Sequence, residues 1–240
     1  MQEGKLRAGY ERVFSRTNLS KDTVYCDVGC GSGLAAEIAA NIGARVSGLD
    51  ASESLLSIAR LRVPQGDFRL GEMEELPFPA RTFDLVTGFN AFQYAANPAA
   101  ALAEAKRVVK PGGQVVVMTW GTPEGMEAAT LVTALRPLLP SPPPGAPGPF
   151  ALSGEPALRA FAAQAGLEAE ELTDVDCTWS YPDLATALRG LGSSGVAVRA
   201  RENSNDEAVD QAHAAALAPF CQANGSYRIG ATFRCLIARA

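Results

Sequence analysis

The chain is short of the residues that mark several large functional classes. One histidine in 240 residues makes a histidine-based metal centre unexpected, and no metal is assigned. The five cysteines (Cys26, Cys30, Cys177, Cys221 and Cys235) are odd in number and form no Cys-x-x-Cys pair. Buried free thiols in a reducing compartment are expected, not disulfides or zinc. Lysine and arginine total 21 against 26 acids, for a net charge of −5, with no block of basic residues. Nucleic acid or an anionic membrane would want a Lys/Arg-rich face, so neither is an expected partner. No apolar run reaches spanning length, and Met1-Gln2-Glu3-Gly4-Lys5 is too polar for a secretory signal, which points to the cytoplasm. Internal repeats are also missing. What remains, 47% hydrophobic and 20% charged residues, suits one soluble α/β domain with a sizeable core.

The informative stretch is Val24-Tyr25-Cys26-Asp27-Val28-Gly29-Cys30-Gly31-Ser32-Gly33-Leu34. A β-branched and aromatic run stops in three alternate glycines, and Leu34, Ile38 and Ile42 then recur at helical spacing. Strand, glycine turn and helix place free helix N–H groups and a bare backbone at the carboxyl end of a sheet, where open α/β sheets bind ligands. Gly29 and Gly31 fit the first two positions of the nicotinamide fingerprint, but its third falls on Leu34 while a glycine stands at 33. Asp50 ends the second strand about 20 residues past the turn, where doubly wound folds place a carboxylate on ribose hydroxyls. A carboxylate can accept from both hydroxyls of a cis diol.

Three further segments follow in order: Gly71-Glu72-Met73-Glu74-Glu75-Leu76-Pro77-Phe78, then strand Phe83 to Phe89 ending at Asn90, then Leu102-x-Glu104-x-x-Arg107-Val108-Val109-Lys110-Pro111-Gly112-Gly113. With Asp27-x-Gly29-x-Gly31-x-Gly33, this ordered set resembles class I S-adenosylmethionine-dependent methyltransferases of small-molecule type, over about residues 23–120. The resemblance implies a doubly wound Rossmann-like α/β sheet of seven strands, the last antiparallel, with helices on both faces and a helical lid. It implies S-adenosyl-L-methionine as cofactor and in-line methyl transfer to a small-molecule acceptor. Carried over, Asp27, Gly29, Cys30 and Gly31 form the floor beneath the methionine tail, and Asp50 with Ala51 meets the ribose. Glu72 accepts from the adenine amine, the Met73 backbone contacts a ring nitrogen, and Asn90 turns its backbone toward the methionine part. Met73 as a plain core plug reads the same from sequence. Two other readings stay open: a nicotinamide-dependent oxidoreductase, and a cofactor-binding protein of this fold without methyl transfer.

Residues 1–120 thus form a cofactor-binding half of one domain spanning 1–240. Residues 121–150, with Pro140, Pro142, Pro143, Pro144, Pro147 and Pro149, read as a stiff crossover. A helix capped by Ser153 is expected to reach Gly166, followed by a strand from Leu167 to Trp179 and a last strand from Arg228 to Ala238. Between them, 181–224 is mostly helical and lies where the family inserts a substrate lid. Ser204-Asn205-Asp206-Glu207 matches a capping box, and the helix it starts puts Val209, His213, Leu217 and Phe220 on one inward face. His213 is then a core histidine or a pocket base. Methyl transfer from a sulfonium needs little acid–base help; if a base is used, His213, Tyr94 and Asp176 are the candidates. The oligomeric state is not legible.

Overall fold

The computed structural model describes residues 3–141 and 148–240. Seven strands form one sheet: β1 (Val24–Val28), β2 (Arg45–Asp50), β3 (Asp67–Leu70), β4 (Phe83–Phe89), β5 (Val109–Trp120), β6 (Glu168–Asp176) and, last in the chain, β9 (Thr232–Arg239). Their order is β3-β2-β1-β4-β5-β9-β6. The first five run parallel, and β9 inserts antiparallel between β5 and β6. The chain steps outward from β1 to β3 on one side and restarts at β4 on the other. The topological switch point, where such sheets open a crevice, therefore lies at the carboxyl ends of β1 and β4.

Strands buried on both faces read as continuous apolar runs, and the second half of β5, from Val115, is one. Alternate residues enter different cores: Val116, Met118 and Trp120 on one face, Val115 and Val117 on the other. The first face is covered by α1 (Arg7–Arg16), α2 (Leu34–Ile42) and α3 (Glu53–Arg62), the second by α4 (Pro98–Val108) and α6 (Glu155–Gln164). Asn97 caps α4 through the Ala100 amide, and Pro98 stands in its first turn, where proline's missing amide costs nothing. A short helix, α5 (Ala128–Ala134), follows β5, and segment 181–224 folds as α7 (Leu184–Gly192), α8 (Gly195–Asn203) and α9 (Asp206–Leu217). Two short strands, β7 (Trp179–Tyr181) and β8 (Tyr227–Ile229), pair antiparallel at the root of that segment.

Several local expectations change. In α2 the packed face is Leu34, Ala35, Ala36 and Ala39, while Ile42 is 45% exposed. Small alanines let the helix lie close to the sheet, and Gly43 (φ +103°) ends it just after Ile42. Region 121–150 is more than a crossover, since it holds α5; Pro142, Pro143, Pro144 and Pro147 lie outside the described residues. Ser153 does not cap α6, because its hydroxyl donates to the Phe150 carbonyl at 2.7 Å. The cap position is Gly154, and Pro156 removes one of the amides that a cap would serve. Asn205, not Ser204, caps α9, accepting from the Ala208 amide at 2.8 Å. Ser204 turns back to the Ala200 carbonyl, and Glu207 is taken by Gln211, so no capping box closes. The strand expected over 167–179 stops at Asp176. There the Cys177 amide bonds the Ala231 carbonyl, and the chain leaves the sheet for β7. The final strand likewise starts at Thr232, after a break at Gly230 whose amide is held by Glu127. Four cysteines are buried free thiols, but Cys221 is exposed.

Candidate active site

The glycine turn lies at the switch point and is built by backbone geometry. Gly29, Gly31 and Gly33 have φ of +73°, +54° and +82°, the left-handed region that L-residues avoid. The amides of Gly29 and Cys30 both donate to the Leu49 carbonyl, at 2.8 and 3.0 Å, which ties the turn to the end of β2. A Cβ on Gly33 would stand 2.8 Å from the Ala59 Cβ, so this glycine lets α2 approach α3. A Cβ on Gly31 would meet nothing within 4 Å. That bare backbone faces open space, as a ligand cradle requires. Cys30 is only 8% exposed, and burial pushes its thiol pKa up.

Asp50 stands beside the turn. Its Oδ2 accepts from the Gly31 amide at 2.8 Å and its Oδ1 from the Ser52 amide at 2.9 Å. Each oxygen keeps a further lone pair for a diol. Ala51 follows, exposed. The Gly71 amide bonds the Asp50 carbonyl at 3.2 Å, bringing the next segment alongside. There Glu72 is exposed, and Met73 is half-buried against the core that holds Leu76 and Phe78. At the end of β4, Asn90 has φ +55° and its amide donates to the Met118 carbonyl at 2.8 Å. Its Oδ1 accepts from Gln93 Nε2 at 2.5 Å. Tyr10 of α1 packs edge-on to Phe89, ring centroids 4.6 Å apart, and so supports the Asn90 turn from one face. Strained non-glycine backbone of this kind concentrates at ligand sites.

Asp27 lies beneath this floor, not on it. It is 2% exposed, and Thr87 donates to its Oδ1 at 2.8 Å while Tyr25 donates to Thr87 at 2.7 Å. The chain Tyr25–Thr87–Asp27 joins β1 to β4 at the switch point; its only sequence signal is the lone threonine in the otherwise apolar run Leu85 to Phe89. Burial raises the Asp27 carboxyl from 3.8 to about 7, opposed by the hydrogen bonds from Thr87 and Tyr25 and aided by the Asp50 charge. The folded protein therefore holds this proton more tightly than the unfolded chain. The associated stability is full below about pH 4 and lost as pH rises through 7. Asp27→Asn keeps an acceptor for Thr87 without the charge. It is expected to be more stable than wild type at pH 8 by roughly 2–4 kcal/mol, a gap that narrows toward pH 5. Urea midpoints across that range measure it, and a gap independent of pH would refute the assignment.

Of the three residues named as possible bases, the fold brings one to the site. Tyr94 follows Asn90 by four residues, is 54% exposed, and its hydroxyl accepts from Trp120 Nε1 at 3.3 Å. Asp176 ends the edge strand β6, three strand spacings or about 14 Å from β4, and it accepts from Thr232 at 3.0 Å. It is not brought to the crevice. His213 points inward as its helical spacing predicts and is 3% exposed, one turn from Val209 and one from Leu217. Those two neighbours belong to separate apolar clusters, so the imidazole sits inside the helical segment, where desolvation lowers its pKa. The sequence reading missed the aromatic group at the end of β5. Trp120 stacks on Phe233 at 4.6 Å and meets Trp179 at 5.9 Å and Phe150 at 6.2 Å, both edge-on.

A parallel sheet with an antiparallel penultimate strand, a three-glycine turn beneath open space and a carboxylate on the neighbouring strand define a Rossmann-like nucleoside-cofactor domain of the methyltransferase type. Comparison with known proteins narrows this. Residues 26–117 match the methyltransferase domain family. A ubiquinone biosynthesis O-methyltransferase of Thiobacillus denitrificans is 38% identical over 156 residues, covering 61% of this chain and 65% of that protein. The YcgJ protein of Bacillus subtilis superposes with a TM-score of 0.61 at 20% identity, covering 98% and 99% of the two chains. The [4+2]-cyclase SpnF superposes with 0.59 at 21%, covering 96% and 78%. Residues 26–117 thus carry a methyltransferase domain, and the chain as a whole shares the Rossmann-like methyltransferase fold. It spans less than two thirds of the length of the curated relatives it matches first. Nothing in these likenesses supports the nicotinamide alternative, and Leu34 still breaks that fingerprint. The residues fit S-adenosyl-L-methionine, the cofactor of this family: the open face of Gly31 admits a tail, and Asp50 is aimed beside it.

Proposed function

We propose that the protein transfers a methyl group from S-adenosyl-L-methionine to a small, uncharged or aromatic acceptor in the cytoplasm. When bound, the cofactor supplies a methyl group already activated on a sulfonium. The residues of the chain do the rest by binding and orientation, which can supply much of the rate. The Gly29–Gly31 backbone and Asn90 hold the methionine end, Asp50 with Ala51 the ribose, and Glu72 with the Met73 backbone the adenine. Segment 181–224 serves as the lid over the acceptor and excludes water. No strong general base is needed. Tyr94 positions the acceptor at the mouth, and His213 belongs to the lid core. A net charge of −5 without a basic face favours a metabolite over nucleic acid. The likeness to a ubiquinone-biosynthesis enzyme favours an aromatic hydroxyl as acceptor. The observation that carries the reading is the open Gly31 face beside Asp50.

The test is turnover: cofactor carrying a radiolabelled methyl is offered with a metabolite extract, and label should pass into an organic-soluble product. Asp50→Ala serves as the low-binding control. Tight binding of the cofactor with no label transferred to any fraction would instead favour the cofactor-binding reading, which the shared fold of a cyclase keeps in play.

A further inference from the structure

The two tryptophans of this chain, Trp120 and Trp179, are in contact, and their indole N–H groups differ. Trp120 donates to the Tyr94 hydroxyl. Trp179 is 7% exposed, and its Nε1 is buried with no acceptor among the described residues. A buried donor without a partner carries a desolvation cost that native structures rarely leave uncompensated, so a ligand or a water must supply the acceptor. Its place favours a ligand. Trp179 stands in β7, at the root of segment 181–224. A continuous set of contacts runs from it through Trp120 and Tyr94 to the Asn90 turn, where the methyl group would be presented. Gln93 shows the opposite orphan beside Asn90: its Nε2 is spent on Asn90 and its Oε1 is buried without a donor. A donor at one end and an acceptor at the other, joined by aromatic rings, match a planar ring that bears oxygen.

We propose that Trp179 is a specificity-determining residue, whose indole N–H donates to a ring oxygen of a hydroxylated aromatic acceptor packed against Trp120. This rests on the methyl-transfer reading and its aromatic hydroxyl acceptor, and adds the residue that reads it. Because the N–H is buried, the ring reaches it only as segment 181–224 shifts, so acceptor binding is coupled to that movement.

The experiment uses the full chain saturated with S-adenosylhomocysteine, with 1-naphthol and naphthalene as probes. Two tryptophans give two indole N–H signals in a nitrogen–proton correlation spectrum, assigned with Trp120→Phe and Trp179→Phe. Adding 1-naphthol should move the Trp179 signal downfield, whereas naphthalene should not. In equilibrium dialysis Trp179→Phe should bind 1-naphthol about five- to tenfold more weakly, the worth of one hydrogen bond, with naphthalene unchanged. The spectrum of the wild type keeps the test alive if the variant fails to fold. Absence of saturable 1-naphthol binding, an unmoved Trp179 signal, or an indole proton bonded to water with and without 1-naphthol would each overturn the proposal. Failure of S-adenosylhomocysteine to bind at all would instead bring down the reading beneath it.

Discussion

Gly31→Ala and Gly33→Ala are expected to separate ligand binding from folding, although they alter the same turn by the same methyl group. At Gly31 the added Cβ enters open space, so the stability loss is confined to the left-handed backbone, about 1–2 kcal/mol. The same Cβ stands where the cofactor must approach the main chain. Cofactor affinity should fall by roughly ten- to a hundredfold, the equivalent of about 1.4–2.8 kcal/mol. At Gly33 the φ of +82° adds the same backbone strain, but the Cβ meets Ala59 at 2.8 Å and its Cα at 3.0 Å. Backbone at that distance cannot swing aside, and overpacking adds about 1–3 kcal/mol. A total of about 2–5 kcal/mol would lower the melting temperature by roughly 4–20 °C for a domain of this size. Below that temperature, cofactor affinity should stay within a few-fold of wild type. Thermal melts with calorimetric titration of S-adenosylhomocysteine read both quantities. Equal effects of the two variants on binding would show that the open face of Gly31 is not the cradle.

Asp50→Ala carries the second large effect. Its carboxylate holds the Gly31 and Ser52 amides and is aimed where a ribose diol would lie. Loss of hydrogen bonds to a charged group is worth about 1.5–3 kcal/mol, so affinity for S-adenosylhomocysteine should drop by roughly 10- to 150-fold. Removal of the Gly31 tether would loosen the turn as well, so the variant alone mixes two causes. Asp50→Asn retains oxygen acceptance on one side and should lose less. A 2′,3′-dideoxyribose analogue of the ligand separates the causes: wild type should bind it weakly, and Asp50→Ala should no longer distinguish it from the parent. Continued discrimination by the variant would place the diol elsewhere.

How much of this was legible in the sequence differs by residue. The glycine turn, Asp50 and the Asn97-Pro98 cap were readable because each depends on bonds within a few residues, where spacing and chemistry suffice. The capping box at Ser204 and the cap at Ser153 failed for a related reason. Two or three adjacent polar residues compete for the same amide, and the winner depends on where the preceding turn ends. Ile42 fits the helical spacing yet lies exposed, because periodicity marks a face but not where the covering partner stops.

The site divides along the same line. By itself the sequence determined where the glycine turn, its flanking strand and its helix lie, and it carried the resemblance to methyltransferases. The glycines, Asp50, Glu72-Met73 and Asn90 all lie at strand ends in one continuous half of the chain, and their chemistry is local. Tertiary structure alone decided which distant side chains share the crevice. It buried Asp27 beneath the turn on Thr87, left Asp176 on the sheet edge, and closed His213 into the helical segment. It also brought Trp120 and Trp179 together, 59 positions apart in sequence, because β9 inserts between β5 and β6 and returns the chain to the same edge. The physical reason is that strand pairing and the packing of the helical segment are set by the summed burial of many apolar residues, which no short spacing encodes.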